Sequence, residues 1–181
     1  ANSIVGLSQL GNNVGFIGKV NDDTFGHKYE EGLLKEKVKY FYTKKKETNN
    51  TGSCLILITP DYERTMCTYL GTAGKINEND IDEKIIKNSQ ITFLEGYLWD
   101  EGDPKKAFDK AISLSNKTAM SLSDQFCVDR HKKNFLDLVK NQVDIVFANE
   151  QEMQSLINVK SIDHVIDFSK QLNKDIVITR G

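Results

Sequence analysis

The sequence has no apolar run long enough to cross a lipid bilayer and no strong excess of either charge. Its 181 residues carry 24 basic and 26 acidic side chains, for a net charge of -2. A span needs about 20 consecutive apolar residues, and binding to nucleic acid normally requires a basic surface. We therefore expect neither a membrane nor a nucleic acid as the partner.

Cysteine and proline are also scarce. The three cysteines, Cys54, Cys67 and Cys127, are odd in number and far apart, so we predict reduced thiols rather than a disulfide framework. The first residues do not show the pattern of a signal peptide, and together these features predict a cytoplasmic protein. Cys127 and His131 lie four apart, but a structural zinc site needs about four ligands and no second pair is near.

The order of apolar and polar segments predicts an α/β fold. Helix, strand and helix patterns follow one another through residues 1–37, and the alternation resumes from residue 80. Such repeats form a mainly parallel sheet with right-handed crossovers. The predicted strands of the second part are Ile91–Leu94, Ala119–Leu122, Ile145–Ala148 and Ile176–Thr179.

Residues 38–71 interrupt this alternation. Two β-prone runs, Thr51–Thr59 and Arg64–Leu70, flank a turn that begins at Pro60. Together with a weaker strand at Val38–Tyr42, they predict a small antiparallel sheet inserted in an α/β core of residues 1–37 and 72–181. A two-stranded sheet is poorly stable alone, so we interpret it as a lid that closes over a cleft.

Polar residues follow several predicted strands. Ligands of parallel α/β sheets bind outside the carboxyl ends of the strands, so Glu95, Asp124, Asn149 and Thr179 are expected to line one crevice. Tyr97, with Trp99, is a candidate for the wall of that crevice, although large aromatic residues usually lie in the core.

Two of the candidate residues allow two interpretations each. The spacing Asn149-x-x-Glu152 favours a helix capping box, and the alternative is a site for hydrated Mg²⁺ beside a phosphate. Arg64 opens the second strand of the predicted lid, where it could contact a transferred phosphoryl group or could simply be a surface residue of an edge strand. The residues themselves do not decide between these alternatives.

Several short motifs, taken in order, resemble the ribokinase-like, or PfkB, family of carbohydrate and nucleoside kinases. The segment Gly18–Gly26 is similar to the family's G-x-V-G-D-D-x-F-G, with Asn21 in place of the usual glycine, a change that we expect to affect a turn only. Glu95–Asp100 and Ser123–Cys127 look closest to the bacterial adenosine-kinase-like branch. The other matching segments are Ala1-Asn2-Ser3 with Leu10-Gly11, Thr51-Gly52, Glu63–Met66, Asn149-x-x-Glu152 and Thr179-Arg180-Gly181.

The resemblance implies ATP-dependent phosphorylation of a primary hydroxyl on a sugar or nucleoside. It implies that Asn2 binds the sugar, and we expect Glu95 and Tyr97 to contact the substrate as well. Arg64 would steady the phosphoryl group. Asn149, Thr179 and Gly181 would bind ATP, and Glu152 would hold Mg²⁺ through water. The protein would act as a monomer or as a homodimer joined through the lid.

The family's catalytic aspartate lies in a G-A-G-D motif, which the 181 residues do not contain. The chain starts without Met and ends directly after a strand, so we expect a segment of a kinase that is inactive alone for want of its general base. The alternative is a ligand-binding or regulatory domain that lost the chemistry. A dinucleotide-binding oxidoreductase is disfavoured, because no G-x-G-x-x-G joins a strand to a helix.

Overall fold

The first eighty residues form one of two compact units in this computed structural model, which describes residues 2–100 and 103–180. Helix α1 (Asn2–Gln9) is followed by Gly11, whose φ of 87° only glycine adopts readily. Strand β1 (Gly15–Phe16) leads to helix α2 (Thr24–Lys35), and Asp23 caps that helix as predicted, accepting a hydrogen bond from the Gly26 amide. The chain continues into β2 (Lys39–Tyr40).

Strand β2 corrects one of our assignments. We placed residues 38–42 with the antiparallel insertion, but Lys39–Tyr40 pairs in parallel with β1. The sequence pattern predicts a strand over Val14–Val20, whereas β1 covers only Gly15–Phe16. A Cβ atom at Gly15 would lie 2.4 Å from the Phe41 ring, so close packing of that ring needs a glycine here. The division into a core and a lid of residues 38–71 stays a prediction.

The antiparallel insertion itself is a hairpin of β3 (Ser53–Ile58) and β4 (Arg64–Tyr69), in register from Ser53 opposite Tyr69 to Ile58 opposite Arg64. Every residue of both strands is exposed. The turn between the strands contains Tyr62, with a φ of 66°. Two short 3₁₀ turns, Gly71–Lys75 and Glu78–Asp80, complete this unit.

The second unit, residues 81–181, is a four-stranded parallel sheet flanked by helices. Its strands lie in the order β5 (Thr92–Glu95), β6 (Thr118–Ser121), β7 (Ile145–Asn149) and β8 (Asp175–Thr179). The core of this unit includes the side chains of Met120, Val146 and Phe135, each fully buried. The predicted parallel sheet and the antiparallel hairpin are both confirmed.

A polar residue precedes each helix of this unit. The sequence pattern predicts helices that start at Asp80 and Asp129, but α3 (Glu83–Asn88) starts later, after Asp82, and α5 (Gln125–Asp137) starts earlier, after Asp124. Helix α5 ends in a π-helical turn, Leu138–Gln142. The remaining helices are α4 (Pro104–Leu114), α6 (Glu150–Ile157) and α7 (Ile162–Gln171), and a 3₁₀ turn covers Gly96–Asp100. None of the helices in the described ranges is long and apolar enough for a membrane span.

Candidate active site

The carboxyl ends of the four parallel strands bring the predicted polar residues to one edge of the sheet. Glu95 is in register with Ser121, and Asn149 is in register with Thr179. Because all four strands run the same way, the residues that follow them lie along the same edge. This is the edge at which open α/β sheets bind their ligands.

Asn149 and Glu152 form a closed hydrogen-bonded unit at this edge. The Asn149 Oδ1 atom accepts from the Glu152 amide at 2.7 Å, and its Nδ2 atom donates to Glu152 Oε1 at 2.8 Å. The Asn149 backbone amide donates to Glu152 Oε2 at 3.0 Å. The capping-box interpretation of the spacing is therefore confirmed. The capping box is still compatible with a hydrated Mg²⁺ site, because each carboxylate oxygen keeps a lone pair that can accept a hydrogen bond from water.

Glu152 is unusually buried for an acidic residue, since only 5% of it is exposed. Burial is the main reason that its pKa is raised, and the charge of Asp124 raises it further, while the bond from the Asn149 amide acts in the opposite direction. A buried acid normally has a compensating partner. The donors from Asn149 compensate in part, and a cation bound through water would complete the compensation.

Tyr97 connects the segments that follow β5 and β6. Its backbone amide donates to Ser123 Oγ at 3.2 Å, and its hydroxyl donates to the Ser123 carbonyl at 3.0 Å. Burial raises the pKa of Tyr97, and the charges of Asp124, Glu152 and Glu95 raise it further. The two hydrogen bonds to Ser123 hold Tyr97 where the chain leaves β5 and β6.

Ser123 was missed as a site residue by sequence reasoning. It has a φ of 77°, which is rare for a residue with a side chain. A Cβ atom at Gly96 would meet the Ser123 hydroxyl and the carbonyls of Ser121 and Leu122, each at 3.0 Å. The tight approach of two loops that are distant in sequence holds Ser123 in this conformation. The signals in the sequence were its place just after a strand and its membership of the Ser123–Cys127 segment.

The remaining predicted residues are found at exposed positions. Thr179 ends β8, and the following Arg180 donates from Nε to Glu150 Oε2 at 2.8 Å, so β8 is tied to the first turn of α6. Asn2 lies in the first turn of α1, and Arg64 opens β4 at the hairpin turn; both are exposed residues of the first unit. Gly181 lies outside the described residues.

The potential metal ligands at this edge fit a hydrated Mg²⁺ ion better than a metal ion that the protein binds directly. Within residues 2–100 and 103–180, no group of three or more His, Cys, Asp or Glu side chains could hold a metal ion. Mg²⁺ usually keeps several waters and takes one or two carboxylates plus the phosphates of a substrate. One buried carboxylate, Glu152, beside the amide of Asn149 meets that requirement.

A polar groove of about 320 Å³ lies at the opposite, amino-terminal edge of the sheet. Its charged groups already have partners: Lys117 pairs with Asp175 at 3.4 Å, and Asp144 accepts from the Thr118 amide at 2.7 Å. The Lys174 ammonium donates to the Val139 carbonyl at 2.9 Å. The carboxyl edge is therefore the candidate site.

A four-stranded parallel sheet flanked by helices defines an α/β fold. A family model described as the pfkB family carbohydrate kinases matches residues 1–181. The chain belongs to the pfkB family of carbohydrate kinases.

Individual relatives agree with this assignment. A 5-dehydro-2-deoxygluconokinase of Clostridium botulinum is 31% identical over 205 aligned positions, which cover the whole of this chain and 58% of that protein. The crystal structure of adenosine kinase from Sinorhizobium meliloti matches with a TM-score of 0.92 and 34% identity, over 98% of this chain and 56% of that one. A putative ribokinase II from E. coli, in complex with ATP and Mg²⁺, shares the fold with a TM-score of 0.85 at 21% identity, over 98% of this chain and 60% of that one. The chain thus spans somewhat more than half the length of these relatives.

Proposed function

We propose that the protein containing this chain is an ATP-dependent kinase that phosphorylates a primary hydroxyl of a small sugar or nucleoside. Family membership and the two relatives above 30% identity support this class of reaction. Phosphoryl transfer requires mainly positioning and stabilisation of charge, and a sheet edge with buried, fixed polar groups suits that task.

The observation that carries the proposal is the buried Asn149–Glu152 unit at the end of β7. It lies in register with Thr179 at the end of β8. A carboxylate that is 5% exposed and a hydroxyl on the neighbouring strand support the proposal of a magnesium site beside a phosphate site. A capping box needed only for helix stability would not require the burial of its acid.

The proposed roles of individual residues rest on the family resemblance of the segments that contain them. Asn149 and Glu152 order Mg²⁺ through water, and Mg²⁺ supplies neutralisation of phosphate charge when it is bound. The hydroxyl of Thr179 and the backbone at Gly181 hold the nucleotide phosphates. Arg64 contacts the transferred phosphoryl group from the hairpin. Asn2, Glu95 and Tyr97 bind the acceptor, with the carboxylate accepting, and the amide and phenol accepting or donating, hydrogen bonds at its hydroxyl groups.

The acceptor is the finer part of the proposal. One relative is named for a deoxygluconate derivative and another for adenosine, at similar identities of 31% and 34%. A carbohydrate ring or chain with several hydroxyl groups is common to both. We therefore propose an acceptor with a sugar moiety, and the polar groups around Tyr97 favour hydroxyl recognition over an apolar ligand.

Release of ADP by the full-length protein tests this function. We expect ADP in the presence of Mg²⁺ and one of three acceptors: adenosine, ribose or 5-dehydro-2-deoxygluconate. Glu152→Gln should lower the rate about tenfold or more and raise the Mg²⁺ requirement, whereas Glu31→Gln, a change at an exposed carboxylate of α2, should leave both unchanged.

One possible result is that the folded protein binds ATP and sugars in a thermal-shift assay but releases no ADP with any acceptor. This result would refute the proposed kinase function. That result would support the non-catalytic binding domain instead. Equal effects of the Glu152 and Glu31 variants would refute the assignment of the magnesium site.

A further inference from the structure

The side chain of Asn21 lies between two segments that are distant in sequence. Its Oδ1 atom accepts from the Glu47 amide at 2.8 Å, and its Nδ2 atom donates to the Asn49 carbonyl at 3.0 Å and to the Glu47 carbonyl at 3.4 Å. Only 7% of the residue is exposed. The side-chain amide therefore satisfies backbone groups of residues 47–49 in the way that a neighbouring strand would.

This position departs from the family motif, in which a glycine is usual. Asn21 is not among the four non-glycine residues with positive φ in the described chain, so its backbone does not require glycine. Our expectation that the change affects a turn only is incomplete. The side chain adds three hydrogen bonds to a segment about 26 residues away that a glycine could not make.

Asp23 continues the same connection towards the hairpin. Its Oδ2 atom accepts from the Thr51 amide at 2.9 Å, and its Oδ1 atom accepts from the Thr51 hydroxyl at 2.8 Å. The Thr51 hydroxyl oxygen also accepts from the Asn21 backbone amide at 3.0 Å. Thr51 is 6% exposed, and only Gly52 separates it from the first strand of the hairpin.

The second strand returns through the same buried region. The Thr72 amide donates to the Asn50 carbonyl at 3.0 Å, and its hydroxyl donates to the Asn49 carbonyl at 2.5 Å. A Cβ atom at Gly71 would lie 2.3 Å from the Asn50 carbonyl oxygen, and one at Gly52 would lie 2.5 Å from the Leu70 carbonyl oxygen. The two crossing chains therefore leave no space at the base of the hairpin.

The contrast between this base and the hairpin is sharp. Residues 53–58 and 64–69 are all exposed, whereas Asn21, Thr51 and Thr72 are buried. An element without buried contacts takes its orientation from its attachment. The Asn49 carbonyl accepts from both Asn21 and Thr72, so one backbone group links the Asn21 amide to both chains of the hairpin base.

We propose that Asn21 is a positioning residue, whose side-chain amide clamps residues 47–49 and thereby sets the orientation of the β3–β4 hairpin. The clamp is a property of the first unit and does not depend on the reaction. Its consequence for activity, namely that the hairpin brings Arg64 to the transferred phosphate, rests on the proposed kinase function.

Amide hydrogen exchange by NMR on the full-length protein tests the clamp without any activity. In Asn21→Gly, the amides of Glu47, Thr51 and Thr72 should exchange about tenfold faster or more, while amides in the middle of α2 keep their rates. Asn21→Asp keeps an acceptor for Glu47 but lacks the donor to Asn49. The Asn21→Asp variant should therefore speed the exchange of the Thr72 amide and leave the Glu47 amide protected.

Asn13→Gly is the matched control, because Asn13 is exposed and lies in the same unit. Faster exchange of Glu47 alone, or an equal increase throughout residues 2–80, would overturn the proposal. So would an equal change in the Asn13 variant.

The activity arm separates the two proposals. If the protein is a kinase, Asn21→Gly should lower kcat severalfold without a matching rise in the KM for ATP, and Asn13→Gly should change neither. If the unaltered protein has no kinase activity, the function fails and the exchange pattern still decides on the clamp. If the protein is active and Asn21→Gly leaves its activity unchanged, catalysis does not depend on the clamp. The proposed consequence of the clamp for activity is then wrong.

Discussion

Replacing Asn149 with alanine removes both side-chain contacts of the capping box. The Glu152 amide loses its acceptor at 2.7 Å, and Glu152 Oε1 loses its donor at 2.8 Å. The bond from the backbone amide of residue 149 to Glu152 Oε2 remains, because it does not involve the side chain. The variant therefore leaves the buried carboxylate with one of its two hydrogen bonds from Asn149.

Two contributions set the expected size of the effect. Loss of an N-cap side chain costs about 1 kcal/mol. Removing a hydrogen-bond donor from a buried acceptor costs about 1–3 kcal/mol, and Glu152 is only 5% exposed. The free energy of unfolding should therefore fall by about 2–4 kcal/mol. With a urea slope of about 2 kcal/mol/M, the midpoint falls by about 1–2 M.

Urea unfolding of the full-length protein, followed by circular dichroism, measures this difference. Ser161→Ala is the matched control, since Ser161 caps α7 through one bond from the Asp163 amide at 3.2 Å and holds no buried acid. It should cost about 1 kcal/mol or less. If Asn149→Ala costs no more than Ser161→Ala, the buried Glu152 does not depend on the side chain of Asn149 and the reasoning is refuted.

Three further predictions concern pH, backbone conformation and the hairpin. Burial raises the pKa of Glu152, so the folded state binds its proton more tightly than the unfolded state. The stabilisation is present below the ordinary range near 4.5 and is lost as pH rises through the folded pKa; urea unfolding from pH 4 to 8 should show this loss, and Glu152→Gln should lack it. Gly71→Ala should destabilise by about 2 kcal/mol or more, owing to a φ of 54° and a carbonyl oxygen 2.3 Å from the added Cβ. By contrast, Gly32→Ala, in an open position of α2, should stabilise by about 0.5–1 kcal/mol in thermal unfolding; equal signs would contradict the backbone argument. Under the proposed function, Arg64→Ala should lower kcat at least tenfold with an unchanged melting temperature, and an unchanged rate would remove Arg64 from the site.

The parts of the fold that depend on local patterns could be predicted from the sequence. The strands of the parallel sheet follow from apolar runs, and the caps at Asp23 and Asn149 follow from side chains that reach their own helix within three residues. Even here a local rule has limits. Asp103 precedes a helix with proline at its start, as predicted, but its side chain makes no capping hydrogen bond.

The convergence of Glu95, Asn149 and Thr179 could also be predicted, because parallel strands share one carboxyl edge whatever their order. The sequence could not reveal that Glu152 is buried, since burial depends on what the later helices and strands place around it. Nor could it reveal that Tyr97 bonds to Ser123, because those residues lie on different loops.

By itself, then, the sequence determined which elements form and which polar residues the parallel strands bring to one edge, since propensity, capping and periodicity act over a few residues. Only the tertiary structure decided what those residues contact. Strand β2 joins β1 rather than the hairpin, and the Asn21 amide bonds to residues 47–49. Both contacts connect segments more than twenty residues apart, and such pairings depend on how the whole unit buries its apolar surface rather than on any local pattern.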